Sequence, residues 1–362
     1  MLTAEGCRQR RMRLLDRMRS SGIERLALAD PVHLCYLAAA DFDPIGLSAD
    51  LPAVLLIERD GQATLVLDRR SPDSALSAHV DEIVQTDWYP GDAPACCPRQ
   101  LSLDTKLREL GVIRLHDQFG DPLRREIVTT IAELRRAKDL DELAAIRACI
   151  AAGETGHVWA NSHIEAGMTE LDVYAGVQAA CERVAGKPVI VYGDFAVSPG
   201  PERMGGPPTT RTLANGDLFI LDFSVVIGGY RGDFTNTLAV GHQPTPKQQT
   251  LFNSCLRAMQ TGEATLRAGA KCQQVYDAVL RSFKADGVAG HFPHHAGHGL
   301  GLTHPEAPYF VRQSTETLVA GDVVTLEPGL YVPSVGGMRI ERNYLVTSTG
   351  FELLTRHGIE LV

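Results

Sequence analysis

The chain has 362 residues, 44% of them hydrophobic, and a formal net charge of −9. Its length predicts two domains, and its composition is that of a globular protein with a sizeable core. The acidic balance argues against a nucleic-acid or anionic-membrane partner, because such partners bind basic faces. The sequence contains no run of 18 apolar residues that would predict a transmembrane helix.

Cysteine usage and the N-terminal segment both bear on the compartment. The eight cysteines are scattered and form no Cys-x-x-Cys pair, so we expect reduced thiols and a cytoplasmic protein. The segment at about residues 5–21 is rich in arginine and lacks an uninterrupted apolar core. It therefore predicts an amphipathic surface helix rather than a signal peptide.

Residues 1–130 predict a small α/β domain. After the first helix, a strand is expected at 25–29, and two apolar runs at 53–57 and 63–67 flank an Asp-Gly turn, which is typical of a hairpin. The segment 134–139 is the predicted boundary, with the second domain extending over 131–362. Asp139 with Glu142 forms a capping-box pattern that begins its first helix.

The second domain predicts two similar halves. Thr169 with Asp172 begins a helix whose expected apolar face is Tyr174, Val177, Cys181 and Val184, and Thr245-Pro246 begins another. Strands are expected at 217–223 and 232–240, and again at 322–326 and 338–347. The order helix, helix, strand, strand thus occurs twice, which predicts an internal duplication with a central sheet and outer helices.

Four carboxylates and one imidazole stand in corresponding frames of these halves. In both halves a Gly-Asp turn precedes an apolar run that ends on a carboxylate, at Asp222 and at Glu327. A second carboxylate follows 11 residues later (222 to 233) and 14 residues later (327 to 341). His298 lies in a glycine-rich turn. The predicted metal ligands are Asp222, Asp233, His298, Glu327 and Glu341.

This set predicts two divalent cations, because four buried carboxylates without partners would be very costly and two cations would cancel their charge. An oxygen-rich set with one imidazole favours Mn, with Co, Zn or Fe as alternatives. Two such ions would bridge a hydroxide that attacks a carbonyl. Glu327 is the expected proton shuttle, and His294 and His304 are expected to donate hydrogen bonds to the intermediate. Arg339 is expected to bind a substrate carboxylate or to pair with a ligand, whereas His291 and His295 are expected to be structural or solvent-facing.

The motifs resemble those of the pita-bread metallopeptidases, the M24 group of Xaa-Pro aminopeptidases, prolidases and creatinase-like enzymes. The resemblance lies in the two aspartates, in the frame from His294 to Gly299, and in Thr325–Tyr331 and Arg339–Glu341. The N-terminal half is similar to the creatinase/prolidase N-terminal domain. The resemblance implies an α/β fold in which that domain precedes a pita-bread domain with pseudo-twofold duplication, and it implies a homodimer.

The same resemblance assigns roles to the ligands. It implies that Asp222 chelates one metal, that Asp233 and Glu341 bridge both, and that His298 and Glu327 bind the other. Three positions depart from the family pattern. Gly205 stands where the peptidases usually have a histidine, Pro305 stands at a second such position with His304 one residue earlier, and Asn236 replaces a more usual arginine.

These observations support three hypotheses. The first is a dinuclear metallopeptidase that hydrolyses the Xaa-Pro bond of short peptides, as an aminopeptidase or as a dipeptidase. The second, which Gly205 favours, is a creatinase-like hydrolase or lyase acting on a small non-peptide molecule. The third is a catalytically silent peptide-binding module, which the intact ligand set argues against.

Overall fold

The computed structural model describes residues 2–19, 22–42, 53–198, 204–333 and 335–361. The chain divides into two compact units, Met1–Arg135 and Arg136–Val362. Among the described residues, no helix combines the length and hydrophobicity needed to cross a membrane. All eight cysteines are free thiols.

The first unit is an α/β domain built on one four-stranded sheet. The sheet order is β1-β2-β3-β4, with the first two pairs antiparallel and the last parallel. The predicted hairpin is confirmed as β2 and β3. The elements are α1 (Ala4–Arg17), β1 (Arg25–Leu28), α2 (Pro31–Ala38), β2 (Ala53–Glu58), β3 (Ala63–Asp68), α3 (Asp73–Leu76), β4 (Glu82–Thr86), α4 (Arg99–Glu109) and α5 (Arg124–Leu134).

The second unit contains two helix pairs, each followed by antiparallel strands. The first half comprises α6 (Leu140–His163), α7 (Glu170–Ala185), β5 (Ile190–Val197), β6 (Leu218–Ile227) and β7 (Tyr230–Ala239). The second half comprises α8 (Pro246–Glu263), α9 (Cys272–Ala285), β8 (His298–Gly299), β9 (Glu306–Tyr309), β10 (Val323–Leu326), β11 (Gly329–Val332), β12 (Gly336–Arg339), β13 (Arg342–Val346) and β14 (Phe351–Leu353). The sheet orders are β5-β6-β7, β14-β13-β10-β8-β9 and β11-β12.

The helices α6, α7 and α8 begin at the residues that the sequence predicted, and side-chain oxygens cap them there. Asp139, Thr169 and Thr245 each form a capping box at the first turn of α6, α7 and α8. Each such cap satisfies helix N–H groups that have no partner inside the helix, and its loss costs about 1 kcal/mol. The three caps therefore fix where the helices that cover the sheets begin.

The helices of the first half cover one face of its sheet. Phe219 and Phe223 of β6 are fully buried in a core with Val173 and Val177 of α7, and burying each such side chain contributes about 1.5–3 kcal/mol. Close approach requires Gly156 of α6, since a Cβ there would lie 2.9 Å from the Phe223 ring. The opposite face of the sheet remains for polar residues.

Three details differ from the predictions. Val184 is 52% exposed, because the inward face of α7 instead runs through Val173 and Val177. Asp222 lies in the middle of β6 rather than at the end of a strand. The expected strand 338–347 is interrupted at Ile340 and Glu341, where backbone N–H groups donate to Pro328 and to Thr235 instead of continuing one ladder.

Candidate metal centre

Strand register brings the two aspartates to one face of the first sheet. Asp222 of β6 lies opposite Thr235 of β7, and Ser224 lies opposite Asp233. Because alternate residues of a strand face the same side and directly opposed residues share that side, all four project together. This is the face that the helices leave uncovered.

The second half supplies the other three predicted ligands. His298 lies on β8, Glu327 directly follows β10, and Glu341 lies between β12 and β13. The Glu341 N–H donates to the carbonyl of Thr235 at 3.0 Å, which ties this segment to β7.

The five side chains meet as two overlapping groups that share Glu341. In one group the ligand atoms of Asp222, Asp233 and Glu341 all lie within 4.8 Å of one another, and in the other those of His298, Glu327 and Glu341 do. Such an arrangement places two trios of donors side by side, which is the geometry that two neighbouring cations need.

The surroundings of Glu341 show whether cations fit between these two groups of ligands. Its side chain is 1% exposed, and its Oε1 has no hydrogen-bond partner among the described residues. Burial, together with the charges of Asp233, Asp222 and Glu327, raises the pKa of Glu341 well above its usual range. A buried carboxylate oxygen without a donor, surrounded by other carboxylates, is the environment that a divalent cation satisfies. The residues therefore fit the metal.

His298 is oriented as a ligand. Its Nδ1 lies 2.9 Å from the carbonyl oxygen of Gly299, which fixes the proton on Nδ1 and leaves the Nε2 lone pair available. That Nε2 lies 3.5 Å from Oε1 of Glu327 and 3.8 Å from Oδ2 of Asp233. Burial lowers the pKa of His298, which favours the neutral imidazole that binds metals.

Arg339 pairs with a predicted ligand rather than projecting as a free cation. Its Nη2 lies 2.6 Å from Oδ2 of Asp222 and also contacts Oδ2 of Asp194, while Nη1 donates to the Tyr331 hydroxyl at 3.0 Å. Burial raises the pKa of Asp222, to about 7, although the charge of Arg339 opposes that shift.

His304 lies in the site despite its shifted position in the sequence. Its Nε2 is 2.7 Å from Oδ2 of Asp233, and its ring centroid is 4.8 Å from that of His298. Burial would lower the pKa of His304, but the hydrogen bond and charge of Asp233 outweigh burial and raise it. A protonated His304 would donate toward the centre of the ligand set.

His294 lies behind the ligands, against Tyr331. Its Nδ1 lies 2.7 Å from the backbone oxygen of His295 and its Nε2 lies 3.1 Å from the Tyr331 hydroxyl. Burial lowers the pKa of His294 to about 4, so it is neutral at physiological pH.

Sequence reasoning missed two residues of the site. His295 was expected to be structural or solvent-facing, but its Nδ1 lies 3.2 Å from Oε1 of Glu327 and it lines the cavity. This contact and the charges of His295 and His298 outweigh burial and lower the pKa of Glu327. The adjacent motif histidines were a signal for His295. Asp194 had none, because β5 was not predicted.

The three departures occupy defined places. At Gly205 a Cβ would lie 2.0 Å from Oδ2 of Asp194, so no side chain fits there unless Asp194 moves. Asn236 is fully buried in β7 and donates to the backbone oxygen of Glu360 at 3.0 Å. Pro305 lines the same cavity as His304.

The ligands face a small polar cavity of about 210 Å³. It is bordered by β5, β6 and the loop that carries His304. Its lining consists of Tyr192, Gly193, Asp194, Asp222, Ser224, Asp233, His295, His298, His304, Pro305, Glu327, Arg339 and Glu341.

Comparison with known proteins identifies the family of this chain. The sequence model of metallopeptidase family M24 matches residues 144–348. An uncharacterized peptidase of Staphylococcus haemolyticus is 32% identical over 249 residues, which cover 67% of this chain and 69% of that protein.

Two solved structures resemble the whole chain. The Xaa-Pro dipeptidase from Bacillus anthracis has a TM-score of 0.78 at 25% identity and covers 98% of this chain and 99% of its own. Dipeptidase PepE from Mycobacterium ulcerans has a TM-score of 0.74 at 26% identity, with coverage of 100% and 98%. The predicted α/β fold is thereby confirmed, with a pita-bread domain in its C-terminal part. The chain belongs to metallopeptidase family M24 and is a metallopeptidase.

Proposed function

We propose that the protein hydrolyses the Xaa-Pro bond of short peptides with two divalent cations. The observation that carries this proposal is the pair of ligand groups that share Glu341. Asp222 would hold one cation, His298 and Glu327 the other, and Asp233 and Glu341 both. When bound, two cations would supply Lewis acidity that lowers the pKa of a water molecule and stabilises an oxyanion.

The remaining side chains have roles that follow from their contacts. Glu327, whose Oε1 lies 3.2 Å from Nδ1 of His295, is the proposed proton carrier because it also belongs to the ligand set. His304 would donate a hydrogen bond into the cavity from its position on Asp233. His294 would hold the Tyr331 hydroxyl, which in turn accepts from Arg339.

Arg339 has two candidate roles from sequence, of which its contacts support pairing with a ligand. It lies on Asp222, is 8% exposed, and would have to break that pair to reach a substrate carboxylate. We therefore assign it to holding Asp222 in place.

Manganese is the proposed native metal, with cobalt, zinc and iron as alternatives. Four carboxylates and one imidazole form a mostly hard donor set. None of the ligand groups among the described residues includes a cysteine, which a structural zinc site would use.

Peptide specificity is supported by the similar structures and by the size of the cavity. The Bacillus anthracis structure is that of an Xaa-Pro dipeptidase, and the Mycobacterium ulcerans structure is that of a dipeptidase. A cavity of about 210 Å³ is small, which favours short substrates.

The first test is an assay of metal-stripped protein against Gly-Pro, Ala-Pro and a longer Xaa-Pro peptide, before and after addition of Mn²⁺, Co²⁺ or Zn²⁺. We expect metal to restore release of the residue before proline. The ratio of dipeptide to longer-peptide cleavage separates a dipeptidase from an aminopeptidase.

The Glu327→Gln variant tests the proposed proton carrier. We expect turnover to fall at least about 100-fold, whereas Glu352→Gln, at an exposed ion pair with Arg147, serves as the matched control and should leave turnover unchanged. Equal turnover in the wild type and Glu327→Gln would contradict this assignment.

A creatinase-like hydrolase or lyase acting on a small non-peptide molecule is the second candidate. The carboxylate of Asp194 in front of Gly205 supports it, because it changes the charge of the cavity where the peptidases usually have a histidine. Protein that binds about two ions per chain but cleaves no peptide would favour this alternative over the first.

We also propose a cytoplasmic homodimer that binds no nucleic acid and no membrane. The eight free cysteines support a reducing compartment. The net charge of −9 argues against polyanionic partners. Light scattering of the purified protein tests the dimer, and a monomeric mass would contradict it.

A further inference from the structure

Asp194 is a fifth carboxylate in the cavity that the ligand groups leave out. It lies on β5 directly opposite Asp222 of β6, so its side chain projects from the same face of the sheet. Two divalent cations would cancel the four ligand carboxylates, so the carboxylate of Asp194 and the guanidinium of Arg339 remain as a further ion pair beside the Asp222 edge of the site.

Arg339 only partly satisfies this carboxylate. One nitrogen, Nη2, contacts both Asp194 and Asp222, so a single positive charge is shared between two carboxylates. Among the described residues the hydrogen bonds of Asp194 all involve Oδ2, and a carboxylate can accept bonds at both oxygens. The Asp194 side chain is 29% exposed, against 9% for Arg339, so Asp194 is the member of the pair that a ligand in the cavity can reach.

The backbone at Gly205 packs closely against the Asp194 carboxylate. A Cβ at position 205 would lie 2.0 Å from Oδ2 of Asp194. The segment is fixed against β5 because the Phe195 N–H donates to the carbonyl oxygen of Gly206 at 3.0 Å. The Asp194 carboxylate can therefore occupy this position because residue 205 has no side chain.

We propose that Asp194 is a specificity-determining residue that binds the protonated amino terminus of a peptide substrate in the cavity. This inference rests on the proposed peptidase function. Directly opposed strand residues have Cβ atoms about 4.5–5.5 Å apart. The nitrogen and carbonyl carbon of one residue are separated by two bonds of about 1.5 Å. An ammonium bound at Asp194 thus places the first carbonyl of the peptide beside Asp222. Cleavage after the first residue requires that carbonyl to lie at the ligand set.

The test compares Ala-Pro with propionyl-proline, which has the same shape but no amino group, as substrates of the manganese-loaded protein. We expect wild type to prefer Ala-Pro in kcat/KM. In Asp194→Asn that preference should fall about 10- to 100-fold, chiefly through KM for Ala-Pro, because a charge-assisted hydrogen bond is lost. Asp286→Asn, which removes the partner of Arg257 on the surface, is the matched control and should keep the preference.

Gly205→Ala supplies an independent perturbation, because the added methyl group must displace the Asp194 carboxylate, and it should reduce the preference in the same direction. This variant decides the matter if Asp194→Asn fails to fold. An unchanged preference, an equal fall for both substrates, or loss of bound manganese in Asp194→Asn would overturn the inference, since the last two would make Asp194 a positioning residue that acts through Arg339. Wild-type protein that cleaves neither compound would instead refute the peptidase function, and with it the inference that rests on it.

Discussion

Glu341→Gln separates the stability of the metal-free fold from the stability that cations add. Glu341 belongs to both ligand groups, and its Oε2 accepts from the Thr235 hydroxyl at 2.7 Å while Oε1 has no partner among the described residues. Glutamine keeps the size of the side chain and removes its charge. We therefore expect opposite effects in the presence and absence of metal.

The metal-free protein should not be destabilised by this change. Burial and the neighbouring carboxylates raise the pKa of Glu341 in the folded state above its value in the unfolded chain. A carboxyl group with a raised folded pKa contributes stability at low pH that is lost as the pH rises, by about 1.4 kcal/mol per pH unit between the two pKa values. At pH 8 a neutral glutamine avoids that loss, so metal-free Glu341→Gln should unfold at the same or a higher temperature than wild type.

The metal-bound protein should be destabilised. Loss of an outer-shell partner alone weakens metal affinity up to about 100-fold, and loss of a shared ligand should weaken it at least as much. At saturating metal this corresponds to about 2.7 kcal/mol of stability. For a domain of this size it lowers the Tm by about 5–11 °C.

Calorimetric unfolding at pH 8, with chelator and with Mn²⁺, measures both effects. Glu352→Gln, at an exposed ion pair, is the matched control and should change neither curve. If Glu341→Gln lowered the Tm equally with and without metal, Glu341 would be a structural residue, and the assignment of a shared ligand would be refuted.

Two further predictions concern protons at the same site. Because the pKa values of Glu341 and of Asp222 (about 7) are raised, cation binding should displace protons, and the stabilisation by Mn²⁺ should grow from pH 6 to pH 8. Binding heats that are identical in buffers of different ionisation enthalpy would contradict this. His304→Gln should lower kcat about 100-fold with unchanged metal content, because its Nε2 lies on Asp233 at the cavity. Loss of a metal ion, measured by atomic spectroscopy, would instead make His304 a ligand.

Local patterns in the sequence predicted where α6, α7 and α8 begin, and they predicted the ligand set. Capping boxes at Asp139 and Thr169 are formed by residues three positions apart, and the structure has them as predicted. Thr245 begins α8 as predicted, and its capping box with Gln248 was not predicted. The carboxylates stood out because each half has one at the end of an apolar run after a Gly-Asp turn and a second one 11 or 14 residues later. The structure brings all five predicted ligands together.

The interrupted strand at Glu341 shows where local reasoning fails. Residues 338–347 were predicted to form one strand, but the backbone leaves β12 at Arg339 and enters β13 at Arg342. The change of partner follows from the Thr235 carbonyl, more than 100 residues away, which accepts the Glu341 N–H. No pattern near Glu341 contains that information.

The sequence by itself determined the family and predicted a ligand set, because both depend on residue types at short, fixed spacings. Only the tertiary structure decided which other side chains contact the ligands. Strand register set Asp194 opposite Asp222, the fold of the loop brought His304 onto Asp233, and Arg339 bridged two carboxylates. Register and loop path are set by contacts between residues far apart in the chain, so the charge that a substrate meets in this cavity is a property of the folded protein.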